Sequence, residues 1–312
     1  MPGKPGERIK PMDTSVLFSQ MIQMMLMILL GYFLRKIRLL DAGFTGKLTT
    51  LLLNVSMPCM ILASVLTQTA ERNLGEMATV FLFGLALYVL LPFISLLLVK
   101  LLHFPKPQQG VYAFMMTYSN VGFMGFPLIS ALYGSDALFY AAIINVIFTV
   151  STYTIGLILM HYGSGRTAAV NPKMFLTPGV ILPCFAMVLY LLQISFPDAV
   201  VSVIDTVGDM TTPLAMLCIG STLASMAPKE VFSDWRVYLF SLVKQVALPL
   251  LRLVITSDYL QGILYVLLLT PVANTSVLFA TQYGFDEKLA ARGVFITTVL
   301  SMVTIPLLGM LL

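Results

Sequence analysis

A long apolar segment in the first half of the chain is interrupted by polar residues, glycines and a proline, in the order Tyr118-Ser119-Asn120-Val121-Gly122-Phe123-Met124-Gly125-Phe126-Pro127. Proline removes a backbone donor and clashes with the preceding helical turn, and glycine is a weak helix former. Inside a bilayer the freed backbone groups must face protein or a water-filled cavity, because lipid offers them no hydrogen-bond partner. The pattern therefore predicts a membrane helix that is broken near its middle.

A second apolar segment carries a similar interruption, Thr270-Pro271-Val272-Ala273-Asn274-Thr275-Ser276, at a similar depth. Paired interruptions in corresponding helices of two inverted halves are the best pointer in a sequence to a transporter's substrate site. The alternative is a pair of simple kinks at Pro127 and Pro271, since membrane helices tolerate proline. We favour a pair of breaks, one in each segment.

The composition is that of a membrane protein. Hydrophobic residues make up 58% of the 312 residues and charged residues 10%, whereas about 25% of a soluble protein is charged. The mean hydropathy is +0.93. A helix needs about 20 apolar residues to cross the hydrocarbon core, and we number ten such segments as predicted spans 1 to 10: 15–34, 47–67, 77–99, 110–133, 137–161, 174–193, 199–226, 237–256, 260–282 and 289–311. We predict an all-α membrane protein with ten transmembrane helices.

The chain shows an internal repeat at an offset of about 150 to 157 residues. Tyr133-Gly134-Ser135-Asp136 matches Tyr283-Gly284-Phe285-Asp286, Asn54-Val55-Ser56-Met57-Pro58 matches Asp209-Met210-Thr211-Thr212-Pro213, and Phe83 with Pro92 matches Phe240 with Pro249. Five spans per repeat is an odd number, so the second copy is inverted in the bilayer, as in many secondary transporters. We predict two inverted five-helix repeats, 1–161 and 174–312, joined by a cytoplasmic loop at 162–173.

Basic residues collect in alternate loops. The loop between spans 1 and 2 carries Arg35, Lys36, Arg38 and Lys47, and four later loops on the same side are also basic. The positive-inside rule makes this side cytoplasmic and places both termini outside the cell, although the N-terminal tail is itself basic. We predict a multi-pass protein of the cytoplasmic membrane.

The two breaks carry groups that suit an anion. A half-helix that begins after a break exposes free N–H groups and a partial positive charge. Asn120 and Asn274 add side-chain amides at the same depth, which can bind a carboxylate through NH₂ or a cation through oxygen. With their neighbours Ser119, Gly122 and Thr275 they form the predicted substrate site. The alternative is that the asparagines only satisfy the broken backbone.

Lys244 lies about seven residues into span 8 among apolar neighbours. An ionisable residue inside a span is expensive and is a candidate functional residue. The alternative is snorkelling towards the cytoplasmic interface, because seven residues correspond to only about 10 Å of depth. The sequence leaves both interpretations open.

Asp209 lies about three helical turns into span 7, and its repeat counterpart Asn54 is similarly deep in span 2. A buried carboxylate can carry a coupling proton. We therefore take Asp209, and with it its repeat counterpart Asn54, as candidates for coupling to H⁺ or Na⁺. The alternative is an interfacial Asp209 that caps a shorter helix. Asn145 in span 5 is a further candidate for lining a substrate cavity.

Several classes of function lack their characteristic residues. Cys59, Cys184 and Cys218 lie in predicted spans at unrelated spacings, which fits neither a disulfide framework nor a metal site. The chain has no P-loop, zinc-protease motif or dinucleotide fingerprint, and the spans hold no nucleophile–base pair. We expect no enzyme activity, no cofactor, no metal and no nucleic acid partner.

These motifs, taken in order, resemble the auxin efflux carrier family, the bacterial relatives of plant PIN auxin carriers, over essentially the whole chain. The resemblance rests on residues 54–58, 119–127, 212–220, 270–274 and Tyr283-Gly284. It implies a dimer-forming scaffold of helices 1, 2, 6 and 7, and a mobile transport domain of helices 3–5 and 8–10. Helices 4 and 9 would be broken and would cross at Pro127 and Pro271. Asn120 occupies the position that binds the substrate carboxylate in the family.

The chain lacks the long loop between helices 5 and 6 that plant members carry, and bacterial members resemble permeases for dicarboxylates such as malate or malonate. We therefore expect a secondary active or facilitative transporter of a small organic anion that works by an elevator-like motion. The alternatives are a non-transporting membrane receptor or sensor, or a channel, that uses the same pocket.

Overall fold

The computed structural model describes residues 14–66, 74–134, 136–165, 178–192, 194, 196–225, 234–250 and 259–309, and these residues are largely helical. We label the helices in chain order: α1 (Thr14–Lys36), α2 (Ala42–Leu66), α3 (Leu74–Leu101), α4 (Lys106–Thr117), α5 (Val121–Tyr133), α6 (Ala137–His161), α7 (Pro178–Leu192), α8 (Asp198–Ala224), α9 (235–250), α10 (Tyr259–Leu269), α11 (Thr275–Tyr283) and α12 (Glu287–Gly309). The all-helical fold that the sequence predicts is confirmed for this part of the chain.

Five helices of the described ranges are long and apolar enough to cross a bilayer, namely α2, α3, α6, α8 and α12. Predicted spans 4 and 9 each correspond to two helices, α4 with α5 and α10 with α11, as the interrupted sequences indicated. The end of predicted span 8, most of the loop 162–173 and both termini lie outside the described residues.

One group of helices is built on α8. α1 lies along α8, and α2 packs against α8 and α7. Glycines bring the α1 and α8 backbones into contact, because a Cβ atom on Gly220 would lie 2.0 Å from the carbonyl oxygen of Ile28. Small residues at such crossings are how membrane helices approach closely without a hydrophobic driving force.

A second group contains the remaining helices. α3 packs against α4 and α6, the end of α6 packs against α4, and α12 packs against α9 and α11. α6 contacts α7 and α5 contacts α8 where the two groups meet. The interrupted helices therefore belong to the second group, and α5 lies at its boundary with the first.

Four π-helical turns occur in the described helices, at Leu52–Ser56, Val121–Gly125, Thr152–Gly156 and Val243–Ala247. Pro58, Pro127 and Pro249 each lie two residues after one of these turns. The residue before each proline donates its N–H to the carbonyl five positions back, as Phe126 does to Val121. A wider turn relieves the clash between the proline ring and the preceding carbonyl, so each helix continues through its proline.

Candidate functional site

The two interrupted helices meet at their interruptions. Residues 118–120 separate α4 from α5, and residues 270–274 separate α10 from α11; together we call them the crossover. Ser119 and Val272 form an isolated antiparallel bridge. The Asn120 N–H donates to the Pro271 carbonyl at 2.7 Å, and the Ala273 N–H donates to the Tyr118 carbonyl at 3.1 Å. The two breaks thus satisfy each other's backbone groups, which lipid could not do.

Asn120 has two roles at the start of α5. Its Oδ1 accepts from the Phe123 N–H at 3.1 Å, the hydrogen bond of a helix N-cap. Its carbonyl accepts from the Gly125 N–H at 3.0 Å. The side chain is buried, and the described residues offer its Nδ2 group no hydrogen bond. The suggestion that asparagine only satisfies the broken backbone therefore accounts for Oδ1 and leaves the amide donor unused.

The other break begins α11 in a similar way. The Asn274 carbonyl accepts from the N–H groups of Val277 and Leu278, and the Asn274 side chain is half-buried. Thr275 Oγ1 is buried without a hydrogen-bond partner among the described residues. The N-termini of α5 and α11 both start at the crossover, so the positive ends of two helix dipoles lie beside it.

Lys244 reaches the crossover from α9. It lies in the π-helical turn of α9, and its Nζ donates to Ser119 Oγ at 2.6 Å. Its exposed fraction is 0%, which makes it one of the largest fully buried side chains. The side chain therefore points into the protein and does not snorkel to the interface.

The opposite strand of the crossover is held by α12. Thr297 Oγ1 accepts from the Val272 N–H at 3.1 Å. The Thr297 carbonyl in turn accepts from Gln245 Nε2 at 2.8 Å. Lys244 and Gln245 are consecutive, so one π-helical turn is linked to both strands of the crossover. The sequence pattern predicts a role in the site for neither Gln245 nor Thr297, and a threonine within an apolar helix usually bonds to its own backbone.

Pro127 is not at the crossover, which corrects the prediction from the sequence. It lies in α5, seven residues beyond Asn120, because the π-helical turn Val121–Gly125 accommodates the ring within a continuous helix. Gly122 faces α2, since a Cβ atom there would lie 2.7 Å from Met57 Cε. Of the two predicted crossover prolines, Pro271 alone occupies that place.

The other predicted site residues are spread over the molecule. Asn145 is buried in α6, and within the described ranges no hydrogen bond links its side chain to the crossover. Asn54 is exposed on α2, and its Nδ2 donates to the Thr50 carbonyl at 2.8 Å. Asp209 ends the first part of α8 at an irregular turn and is exposed, so it does not cap the start of a shorter helix.

A polar cavity of about 390 Å³ lies between the two helix groups. Its wall is formed by α1, α2, α5, α6 and α8, and its polar lining residues are Gln23, Ser64, Ser130, Asp205, Asp209 and Thr212. Pro127 lies on the same wall. Asp209 therefore faces a cavity beside the crossover helix α5 rather than the crossover itself.

Comparison with known proteins finds similarity to membrane transport proteins. The sequence profile of a family described as membrane transport proteins matches residues 16–308. The chain is 24% identical to the "Uncharacterized transporter MJ1031" of Methanocaldococcus jannaschii, over 97% of this chain and 99% of that protein. It is 22% identical to an "Uncharacterized transporter" of Methanothermobacter thermautotrophicus, over 93% and 97% of the two chains.

The chain is also similar to a bacterial protein. The chain is 23% identical to the "Uncharacterized transporter YfdV" of Escherichia coli, over 92% of this chain and 95% of that protein. The family profile covers nearly the whole chain, from before the middle of α1 to the end of α12. The chain therefore belongs to the membrane transport protein family, the auxin efflux carriers whose motifs it carries.

Proposed function

We propose that this protein is a carrier that moves a small organic anion, such as malate or malonate, across the cytoplasmic membrane. The proposal depends most on the amino group of Lys244, which is buried at the crossover without a carboxylate partner among the described residues. A buried cation is costly unless it is paired. A substrate carboxylate would supply the missing negative charge.

Other groups at the crossover would bind the same carboxylate. Asn120 Nδ2 is an unused donor one residue from the Ser119 hydroxyl that holds Lys244. Thr275 Oγ1, at the start of α11 next to Asn274, is a second donor without a partner among the described residues. The N-terminal ends of α5 and α11 favour negative charge at this place. Cation, amide, hydroxyl and helix ends together make an anion the best fit.

The two helix groups support an elevator-like mechanism. In the proposed arrangement, ten spanning helices form two inverted repeats with both termini outside the cell. The scaffold of predicted helices 1, 2, 6 and 7 corresponds to α1, α2, α7 and α8, and it forms the contact of a homodimer. The crossover belongs to the other group, and the polar cavity between the groups gives α5 a surface that can slide.

The coupling of this transport is a separate question. The roles of Asp209 and Asn54 in ion coupling remain predictions from the sequence. Asp209 is the better supported of the two, because it lines the cavity between the groups. Asn145 stays a prediction as a residue that lines the substrate path.

Counterflow in proteoliposomes tests the proposed function. Vesicles with purified protein are loaded with unlabelled malonate, malate or indole-3-acetate, and entry of the labelled acid is followed. We expect saturable counterflow for at least one carboxylate and thermal stabilisation of the detergent-solubilised protein by the same acid, about 2.7 kcal/mol at 100 times its Kd. Flux without saturation or counterflow would indicate a channel, and binding without flux a receptor.

A pair of serine variants locates the site. Ser119→Ala removes the hydroxyl that binds Lys244, and we expect it to weaken carboxylate binding at least tenfold, since a hydrogen bond to a charged group contributes about 1.5–3 kcal/mol. Ser301→Ala is the matched control, because Ser301 is also buried but bonds to the Thr298 carbonyl of its own helix. Equal counterflow by the two variants would show that the carboxylate binds away from the crossover.

A further inference from the structure

Lys244 has surroundings that are poor for a permanent ammonium group. The side chain is fully buried, and its hydrogen bond in the described part of the chain is the one from Nζ to Ser119 Oγ. An ammonium group carries three donors, and this hydroxyl satisfies one. A neutral amine can donate the same hydrogen bond, so the link to Ser119 is compatible with either protonation state.

The charged and titratable groups on the elements around Lys244 do not bind it. α12, which packs on the π-helical turn, carries Glu287, Lys288 and Arg292 in its first turns, whereas its link to that turn is at Thr297. The segment from α4 to the crossover carries Tyr112, whose ring packs against Phe240, and Tyr118, whose hydroxyl bonds to Ser151. The charge state of Lys244 is therefore set chiefly by what enters the crossover.

We propose that Lys244 carries the proton that accompanies the anion, so that transport is proton symport. This inference rests on the proposed function. In each cycle the lone pair of Nζ accepts one proton from water on the entry side, and Nζ gives that proton back to water on the other side when the anion leaves. No bond of the anion changes.

Mutual stabilisation of the two charges supplies the coupling. A carboxylate about 4 Å from Nζ, at an effective dielectric constant of about 20, raises the affinity of Nζ for a proton about a thousand-fold. By reciprocity, protonation of Nζ raises the affinity for the carboxylate by the same factor. The empty carrier and the carrier loaded with both proton and anion are then the favoured forms. These are the two forms in which a symporter must switch its site from one side of the membrane to the other.

The test measures proton and anion movement together. Proteoliposomes that contain pyranine, a fluorescent pH indicator, receive external labelled malonate or malate, and protein-free liposomes give the background. We expect internal acidification that follows uptake at about one proton per anion, and accumulation driven by an acidic exterior. A Na⁺ gradient in place of the pH gradient should drive no accumulation.

A substitution separates the lysine from a proton carried on the substrate. Lys244→Arg keeps a positive charge that is not released, because guanidinium is not deprotonated in proteins. We expect net proton-coupled uptake by this variant to fall about tenfold or more relative to its own anion-for-anion exchange. Lys36→Arg, an exposed lysine at the end of α1, is the matched control and should behave as wild type.

Two results would overturn the inference while leaving the carrier intact. The first is saturable malonate or malate uptake by the wild-type protein without proton movement, which needs no variant. The second is net proton-coupled uptake by Lys244→Arg at the wild-type level, since the proton would then travel on the substrate or on another residue. If neither acid is transported or exchanged by the wild-type protein, the proposed function fails for these substrates and the symport proposal fails with it.

Discussion

Asn120 offers the sharpest test of the site, because its two ends have different tasks. Oδ1 caps α5 through the Phe123 N–H, whereas the proposed carboxylate would bind at Nδ2. Substitution by Asp or Ser keeps an oxygen for the cap and removes the NH₂ group. Substitution by Ala removes both. A series of three variants therefore separates the helix cap from the substrate contact.

The expected magnitudes differ between stability and binding. Loss of an N-cap costs about 1 kcal/mol, so we expect Asn120→Ala to unfold a few degrees lower, and Asn120→Ser and Asn120→Asp to unfold near the wild-type temperature. Loss of an amide hydrogen bond to a carboxylate costs about 1.5–3 kcal/mol, or about tenfold to 150-fold in Kd. Asn120→Asp adds repulsion of roughly 4 kcal/mol at 4 Å and a dielectric constant of about 20.

The assay pairs thermal unfolding of the purified variants with counterflow of labelled malonate or malate over a range of concentrations. We expect Asn120→Asp to combine wild-type stability with the weakest transport, and Asn120→Ser to be stable and weakened. If transport instead follows stability, with Asn120→Asp fully active and Asn120→Ala the most impaired, then Asn120 only caps α5 and the carboxylate binds elsewhere.

Three further variants test the architecture. Thr297→Val leaves the buried Val272 N–H without its partner. We expect this to lower the free energy of unfolding by about 1–3 kcal/mol, seen in thermal unfolding. A wild-type melting curve would show that Thr297 does not stabilise the crossover. Gly220→Val places side-chain atoms inside the α1 backbone and should cost about 1–3 kcal/mol or more, seen as aggregation in size-exclusion chromatography; a monodisperse, stable variant would contradict the close contact of α1 and α8. A cysteine at exposed Leu39, with the native cysteines replaced, should react with an impermeant reagent from the cytoplasmic side, and labelling from outside would reverse the topology.

The sequence indicated part of the crossover, because polar residues in the middle of an apolar span have few ordinary explanations. Asn120 and Pro271 were found in this way, and both take part in the hydrogen bonds of the crossover. The sequence also indicated Lys244, but it did not show whether the side chain points into the protein or towards the interface. A depth of about 10 Å in a helix permits either direction, and the deciding partner, Ser119, lies 125 residues earlier in the chain.

Other features depend on hydrogen-bond register, which residue types do not reveal. Pro127 predicted a break at its own position, whereas the observed break lies at 118–120, and a π-helical turn carries the chain through the proline. Thr297 is one of several buried hydroxyl residues on α12. Only the fold distinguishes it from Ser301, which bonds within its own helix.

The links around the crossover explain why a moving domain fits this protein better than a gate that opens within it. Its two strands bond to each other, and both are linked to the π-helical turn of α9. Lys244 of that turn bonds directly to Ser119. Gln245 bonds to Thr297, which in turn accepts from the Val272 N–H. Opening the crossover would leave several buried backbone groups unpaired, at about 1–3 kcal/mol each. Carrying the crossover intact past α8, along the polar cavity, breaks none of these bonds. In the proposed elevator motion the substrate site and Lys244 would therefore move together, which is the condition that symport through Lys244 requires.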